Sequence, residues 1–277
     1  GYDFDHGRID KVVHPFMSGS GLDVRITTRT SEDPFDCLYS TIHETGHAAY
    51  EQGIDSDYFL TPLGRGVSMG VHESQSRIFE NQLGRSREFT SWLFTRMQAT
   101  FGDLGVETAD QFYATVNRVV PGYIRTEADE IHYNLHVMMR YDLERDLVSG
   151  ALEVDDLEEA WNSRFNQDFG ETVDRPSNGV LQDVHWSVGL FGYFPTYSLG
   201  NLNASHLYEA ALAQQPGINS QLARGDCSGL LAWMREKIHR PGSRYLPGEL
   251  IERATGAPTD PSAHLRHLRT RYLGQSS

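Results

Sequence analysis

Asp36-Cys37-Leu38-Tyr39-Ser40-Thr41-Ile42-His43-Glu44-Thr45-Gly46-His47-Ala48-Ala49-Tyr50-Glu51-Gln52-Gly53 is the stretch from which the fold is read. Residues four apart on a helix lie one turn apart on one face, so His43 and His47 can reach one metal ion while Glu44 points to its open side. Both ends of the helix are legible. Ser31 is placed to cap it, Glu32 and Asp33 suit the positive N-terminal end, and Pro34 fits the first turn, where a missing N–H is no loss. Leu38, Ile42 and Ala49 give a partial apolar face, and Gly53 stops the helix. Gly46 lowers its propensity by roughly 1 kcal/mol relative to Ala, which implies that a neighbouring backbone or the metal's other ligands need the room.

Twelve histidines in 277 residues raise the chance of a coincidental match, so the motif requires a further ligand. Structural zinc takes four protein ligands, whereas catalytic zinc usually takes three and keeps one position open. An H-E-x-x-H-x-x-G-x-x-H arrangement is excluded because position 53 is Gly. A carboxylate from a second helix is the remaining common donor. The segment 70–84 is helical in pattern, ends on Gly84 and carries Glu73, the expected third ligand.

Along the chain stand, in order, His14-Pro15-Phe16, Asp23-Val24-Arg25-Ile26-Thr27, the H-E-x-x-H, His72-Glu73-Ser74-Gln75, Ile124-Arg125-Thr126-Glu127-Ala128-Asp129 and Gly179-Val180-Leu181-Gln182-Asp183-Val184-His185-Trp186. Each is short. Together, in this order, they make the chain resemble the carboxypeptidase Taq family of metallocarboxypeptidases. The resemblance implies removal of C-terminal residues from peptides and a homodimer; spacing alone would give only a zinc peptidase. In that family a long, mainly helical part precedes the His-Pro-Phe segment and forms one wall of the substrate groove. The present sequence starts just ahead of that segment, as a short form or a fragment, so an open-groove metalloendopeptidase is the alternative. A second alternative is a non-catalytic, metal-stabilised helical binding module, against which Glu44 argues, since a structural site has no use for a general base.

The fold expected is mainly α: a zincin-like helical metallopeptidase with a small β-hairpin beside the metal helix, forming a single catalytic domain over 1–277. Residues 1–30 hold the hairpin, because Val24, Ile26 and Thr28 alternate with Asp23, Arg25 and Thr27 after the flexible Ser18-Gly19-Ser20-Gly21. Its free edge could pair with an extended peptide. Helices are expected at 86–101 with Ser86 as cap, from a Thr108-x-x-Gln111 capping box until Pro121-Gly122, at 123–149 with Gly150 as stop, and at 155–169. The segment 170–202, rich in Gly, Pro and aromatics, reads as irregular and site-lining. Shorter helices follow at 204–213, 227–239, 247–255 and 261–273.

The chain carries 24 Lys and Arg against 38 Asp and Glu, a net charge of −14, which argues against nucleic acid or an anionic membrane as partner. Cys37 and Cys227 are read as free thiols. No leader is visible and no apolar run approaches the roughly 20 residues needed to span a bilayer, which points to the cytoplasm.

On the helix expected at 123–149, Arg125, Asp129, His132, His136 and Arg140 would form one polar stripe facing a site. His132 and His136 are a rival metal pair, but Tyr133 stands where a general base would be. The expected cofactor is one Zn2+ per chain, held by His43, His47 and Glu73, with Co2+ or another divalent ion as the substitute. Glu44 would take the proton from attacking water and deliver it to the leaving nitrogen. His185, Tyr193 and Tyr197 are the candidate donors to the developing oxyanion. Asp129 and Asp183 are expected to receive the second ring N–H of the ligand histidines. An exopeptidase must hold the peptide's terminal carboxylate, for which a planar guanidinium is suited. Arg125 is favoured over Arg25, its rival role being an ion pair with Glu127 or Asp129, and His14 joins them as a substrate contact.

Overall fold

The computed structural model of the chain describes residues 1–30 and 34–275, so the expected cap at Ser31, with Glu32 and Asp33, lies outside the described residues. Near the amino end, β1 (Ile9–Lys11), β2 (Met17–Ser20) and β3 (Asp23–Thr28) form a sheet in the order β1-β3-β2. The alternation in β3 holds over its first four residues, with Val24 and Ile26 buried and Asp23 and Arg25 exposed, but it ends at Thr27, which is buried like Thr28 and bonds its hydroxyl to the Phe16 backbone. The hairpin is β2–β3, antiparallel with Ser20 opposite Asp23, and Gly21 takes the positive φ that its two-residue turn requires. β1 adds a parallel strand, Ile9 opposite Ile26, that three residues with one apolar side chain do not announce.

Val24 and Ile26 pack on Ala48 of α1 (Pro34–Gly53), so the sheet lies against the helix that carries the H-E-x-x-H. The next helix, α2 (Met69–Arg77), starts on Ser68, whose hydroxyl accepts from the Val71 N–H, and runs on through a wide π turn over Ile78–Leu83. A Cβ at Gly46 would fall 2.5 Å from the Ser76 Cα and 2.6 Å from the Gln75 carbonyl oxygen. The backbone of α2 is therefore what requires glycine in α1.

Where the sequence reads as one domain, packing separates two compact units, Gly1–Val116 with Leu199–Ser277, and Asn117–Ser198. In the first, Tyr39, Ala49 and Tyr50 of α1 join Val71, Ile78 and Leu83 with Phe89, Leu93 and Phe94 of α3 (Arg87–Phe101) and Phe112 of α4 (Ala109–Val116) in one core. Ser86 caps α3 as expected, and Thr108 and Gln111 exchange both bonds of a capping box ahead of α4.

The second unit corrects the long helix. It begins not at 123 but at Glu130, as α5 (Glu130–Ser149), because the Asp129 carboxylate accepts from the Ile131 and His132 N–H groups and caps it. Arg125–Glu127 is a separate single turn, so Arg125 and Asp129 leave the stripe, and only His132, His136 and Arg140 share α5. α6 (Leu157–Phe169) packs Trp161 and Phe165 on Met139 and Leu143 of α5, and Gly150 and Gly170 end the two helices with left-handed backbone.

α7 (Pro195–Gln214) opens nine residues earlier than 204, since Pro195 suits a helix start and Gly200 is tolerated inside it. α8 (Ile218–Leu222) was not expected; α9 (Ser228–Met234) continues as a wide turn over Arg235–His239. α10 (Pro247–Thr255) and α11 (Ser262–Leu273) fall where Pro and helical period place them. Among the described residues no helix is long and apolar enough to cross a membrane.

Candidate metal centre

One turn of α1 separates His43 from His47, and α2 crosses at Gly46 closely enough to bring Glu73 to both. Glu73 Oε2 lies 3.7 Å from His43 Nε2 and 3.4 Å from His47 Nε2. One ligand atom from each of the three residues lies within 4.8 Å of the others, and among the described residues this is the group of His, Cys, Asp and Glu side chains so disposed. Glu73 is itself held. Arg77 Nε, one turn on, donates to its Oε1 at 2.8 Å, and Ser76 Oγ donates to Oε2 at 3.1 Å. On α7 a Cβ at Gly200 would sit 2.4 Å from Glu73 Cγ, so this helix too approaches through glycine.

The outer nitrogens of the two histidines are occupied differently. His43 Nδ1 donates to Glu80 Oε2 at 2.9 Å, from the π turn, which also receives Arg77 Nη1 at 3.2 Å. His47 Nδ1 meets His72 Nδ1 at 2.7 Å, and His72 Nε2 meets Glu51 Oε1 at 3.0 Å. Asp129 and Asp183, expected in these roles, lie in the second unit and are engaged there, one capping α5 and the other paired with arginines. Glu80 and His72 were missed; the one signal was their neighbourhood to Glu73 on the same predicted helix.

Burial pushes Glu44 up to about 7, outweighing His43, so its carboxyl is poised for proton exchange near neutrality. Burial likewise pushes His47 down to about 4, leaving it neutral, as a ligand must be. For Glu73, burial is overcome by Arg77, His43 and His47, which hold it well below the usual carboxylate range; for Glu80, Arg77 and His43 overcome burial and bring it to about 2. For His43, Glu73 and Glu80 overcome burial and raise it. Two imidazole nitrogens and an ionised carboxylate within 4.8 Å of one another, among surplus negative charge, fit a divalent ion with three protein donors.

The remaining expected residues are placed elsewhere. Arg25 is exposed, with its fork on Asp23 at 2.8 Å from both Nε and Nη2, and His14 is exposed between β1 and β2. In the second unit, Arg125, 4% exposed, sets Nε and Nη2 on Asp183 Oδ1 at 3.2 and 2.8 Å and donates Nη1 to the Tyr133 hydroxyl. The ion pair offered as rival to a carboxylate clamp thus exists, with Asp183 in place of Glu127 or Asp129. Arg140 adds a second guanidinium, Nε to Asp183 Oδ2 at 2.6 Å. His185 Nε2 bonds the Tyr197 hydroxyl at 2.9 Å, and the Tyr193 ring stands 5.5 Å from both of their rings. His132 pairs with Asp129 at 2.7 Å, and His136 is fully buried with its ring tilted against Phe169 at 4.4 Å, so the two histidines are engaged apart from one another. Cys37 and Cys227 are both free.

The sequence pattern of the family described as Carboxypeptidase Taq (M32) metallopeptidase matches residues 1–272. Thermostable carboxypeptidase 1 of Thermus thermophilus is 45% identical over 98% of this chain and 54% of its own length. Carboxypeptidase 1 of Bacillus subtilis is 40% identical over 98% of this chain and 55% of its own. A crystal structure of an M32 carboxypeptidase from Deinococcus radiodurans superimposes with a TM-score of 0.96 at 49% identity, covering 99% of this chain and 56% of that one. The chain thus spans about half the length of the curated relatives it matches. Sequence and fold agree over nearly all of the residues present: the chain belongs to the carboxypeptidase Taq family of metallopeptidases.

Proposed function

We propose that the chain hydrolyses peptides from their C-terminal end as a zinc-dependent carboxypeptidase, with His43, His47 and Glu73 holding the ion. The observation that carries this is the convergence of two imidazole nitrogens on an ionised carboxylate next to Glu44, a buried carboxyl raised to about 7. When bound, zinc supplies a Lewis acid that acidifies water and polarises a carbonyl. Glu44 accepts the proton of the attacking water at its carboxylate and returns it to the leaving nitrogen, and a pKa near neutrality suits both halves of that transfer. Glu80 and His72 keep the rings of His43 and His47 turned with Nε2 inward. His185, Tyr193 and Tyr197 remain the donors we assign to the developing oxyanion. Arg125 is assigned to the terminal carboxylate, since two guanidiniums share one Asp183 and leave surplus positive charge; Arg25 is next, with His14 as a further contact.

The test is to load the chain with zinc and compare cleavage of peptides bearing a free C-terminal carboxylate with the same peptides amidated. Faster cleavage of the free acid is expected. Equal cleavage of both would replace the reading by an endopeptidase, and stoichiometric metal without turnover of either would replace it by a metal-stabilised binding module.

A further inference from the structure

The two ligand histidines reach a carboxylate by unequal routes. His43 donates directly to Glu80, whereas His47 reaches Glu51 only through a second imidazole. This route has a fixed direction. A carboxylate only accepts, and Glu51 Oε1 also takes the Gly66 backbone N–H at 3.0 Å, so the proton between Glu51 and His72 sits on His72 Nε2. When an ion occupies the centre it takes the Nε2 lone pair of His47, the nitrogen 3.4 Å from Glu73, so the proton of the 2.7 Å contact sits on His47 Nδ1 and His72 Nδ1 accepts it. Were the His72 ring turned over, Cδ2–H would take the place of Nδ1 opposite His47 and Cε1–H that of Nε2 opposite Glu51, and both bonds would be lost.

The turning is prevented by packing. His72 and Glu51 are 8% and 5% exposed. A Cβ at Gly66 would stand 2.8 Å from His72 Cδ2 and 3.2 Å from Glu51 Oε1, so the loop backbone closes directly on the ring and the carboxylate. The Tyr50 ring covers the imidazole at 5.1 Å, and the Tyr50 hydroxyl accepts the next loop N–H, that of Val67. Glu51 lies one turn beyond His47 on α1, so the path leaves α1, crosses to α2 and returns.

We propose that Glu51 and His72 are positioning residues that fix the tautomer of His47 by a carboxylate–imidazole–imidazole relay, and that metal affinity depends on the relay. The inference rests on the metal centre proposed above and not on the carboxypeptidase reading. Outer partners of ligand histidines are worth about 10- to 100-fold in metal affinity. His72→Leu and His72→Asn are nearly equal in size, but the Asn carbonyl can still accept from His47 Nδ1, as the ring nitrogen does.

The experiment measures zinc dissociation constants of the full chain by competition with a chromophoric chelator at fixed pH, together with the side-chain 15N shifts of His72 in the zinc-loaded protein. His72→Leu is expected to weaken zinc about 10- to 100-fold, with His72→Asn recovering most of the loss and Glu51→Gln falling between them. Zinc-loaded wild type is expected to carry the His72 proton on Nε2 with Nδ1 unprotonated, and this is read on wild type whether or not a variant folds. A proton on His72 Nδ1, or equal affinity for wild type and His72→Leu, or equal loss in Leu and Asn, overturns the relay while leaving the metal centre standing. Wild type that binds no zinc overturns the metal centre and the relay with it.

Discussion

Each unit buries a cluster of carboxylates and guanidiniums, and the two are balanced in opposite senses. Around the triad, Glu44, Glu51, Glu73 and Glu80 face Arg77 and Arg85, so negative charge is in surplus. Around Asp183, Arg125 and Arg140 share one carboxylate, so positive charge is in surplus. The buried residues are of the same kinds, yet only the first group has the donor set that a metal ion takes. Burial of charge is costly unless compensated, so the surplus negative charge beside the triad favours a cation there.

The largest effects should come from the cation side. Glu73→Ala removes the carboxylate ligand and is expected to reduce bound metal to background, measured by elemental analysis after dialysis. Glu44→Gln keeps all three ligands, so metal is retained while turnover falls by about 10²- to 10⁴-fold. Metal loss in Glu44→Gln, or full metal in Glu73→Ala, would break the assignment.

Next come the stabilities of the two clusters. Asp183→Asn leaves two buried guanidiniums unneutralised, and Arg77→Met leaves Glu73 and Glu80 facing each other; removing one partner of a buried pair costs about 3–5 kcal/mol. The comparison predicts that zinc restores Arg77→Met, because binding to the folded state adds stability, and does nothing for Asp183→Asn. Denaturant unfolding with and without zinc reads both. Equal rescue of the two would erase the distinction between the clusters.

A pH titration of stability isolates the second cluster. Burial pushes the Asp183 carboxyl up, but Arg140 and Arg125 overcome it and bring it to about 2 from an ordinary 3.8. A depressed carboxylate contributes stability that is fully present above the unfolded value, near pH 4, and is lost as pH falls towards 2. The shift corresponds to about 2–3 kcal/mol. The difference in unfolding free energy between wild type and Asp183→Asn should therefore shrink over that window.

The smallest effect concerns selectivity. If Arg125 receives a terminal carboxylate, Arg125→Ala should lower kcat/KM on free-acid peptides at least tenfold and leave amidated ones almost unchanged, since hydrogen bonds to charged groups contribute roughly 1.5–3 kcal/mol. Arg125→Lys should recover part of the loss, restoring charge without the fork. A variant that keeps the free-acid preference would move the role to Arg25.

What could be read from the sequence was what local chemistry dictates. The metal helix, the Ser86 cap, the Thr108–Gln111 box and the stops at Gly150 and Gly170 each depend on a few consecutive residues, and the structure has them. His43, Glu44 and His47 were legible for the same reason, and Glu73 because it sits on a helix of clear period. Less was visible where two signals competed. Asp129 fits a polar stripe as well as it fits a cap, and Gly200 with its aromatic neighbours hides the start of α7. The partners of the ligand histidines and of Arg125 were not legible at all, because tertiary packing selects them: Asp183 stands 58 residues from Arg125, and Glu80 stands 37 from His43.

Gly46 closes α1 onto the α2 backbone at the Ser76 Cα, and Gly200 closes α7 onto the Glu73 side chain. Contacts this tight cannot be compressed, and the helices cannot drift apart without opening a void. Glu73 is further pinned by Arg77 and Ser76, so its carboxylate cannot swing freely. A change of ionic radius therefore has little to absorb it, and the centre should discriminate among divalent ions by size as well as by donor chemistry.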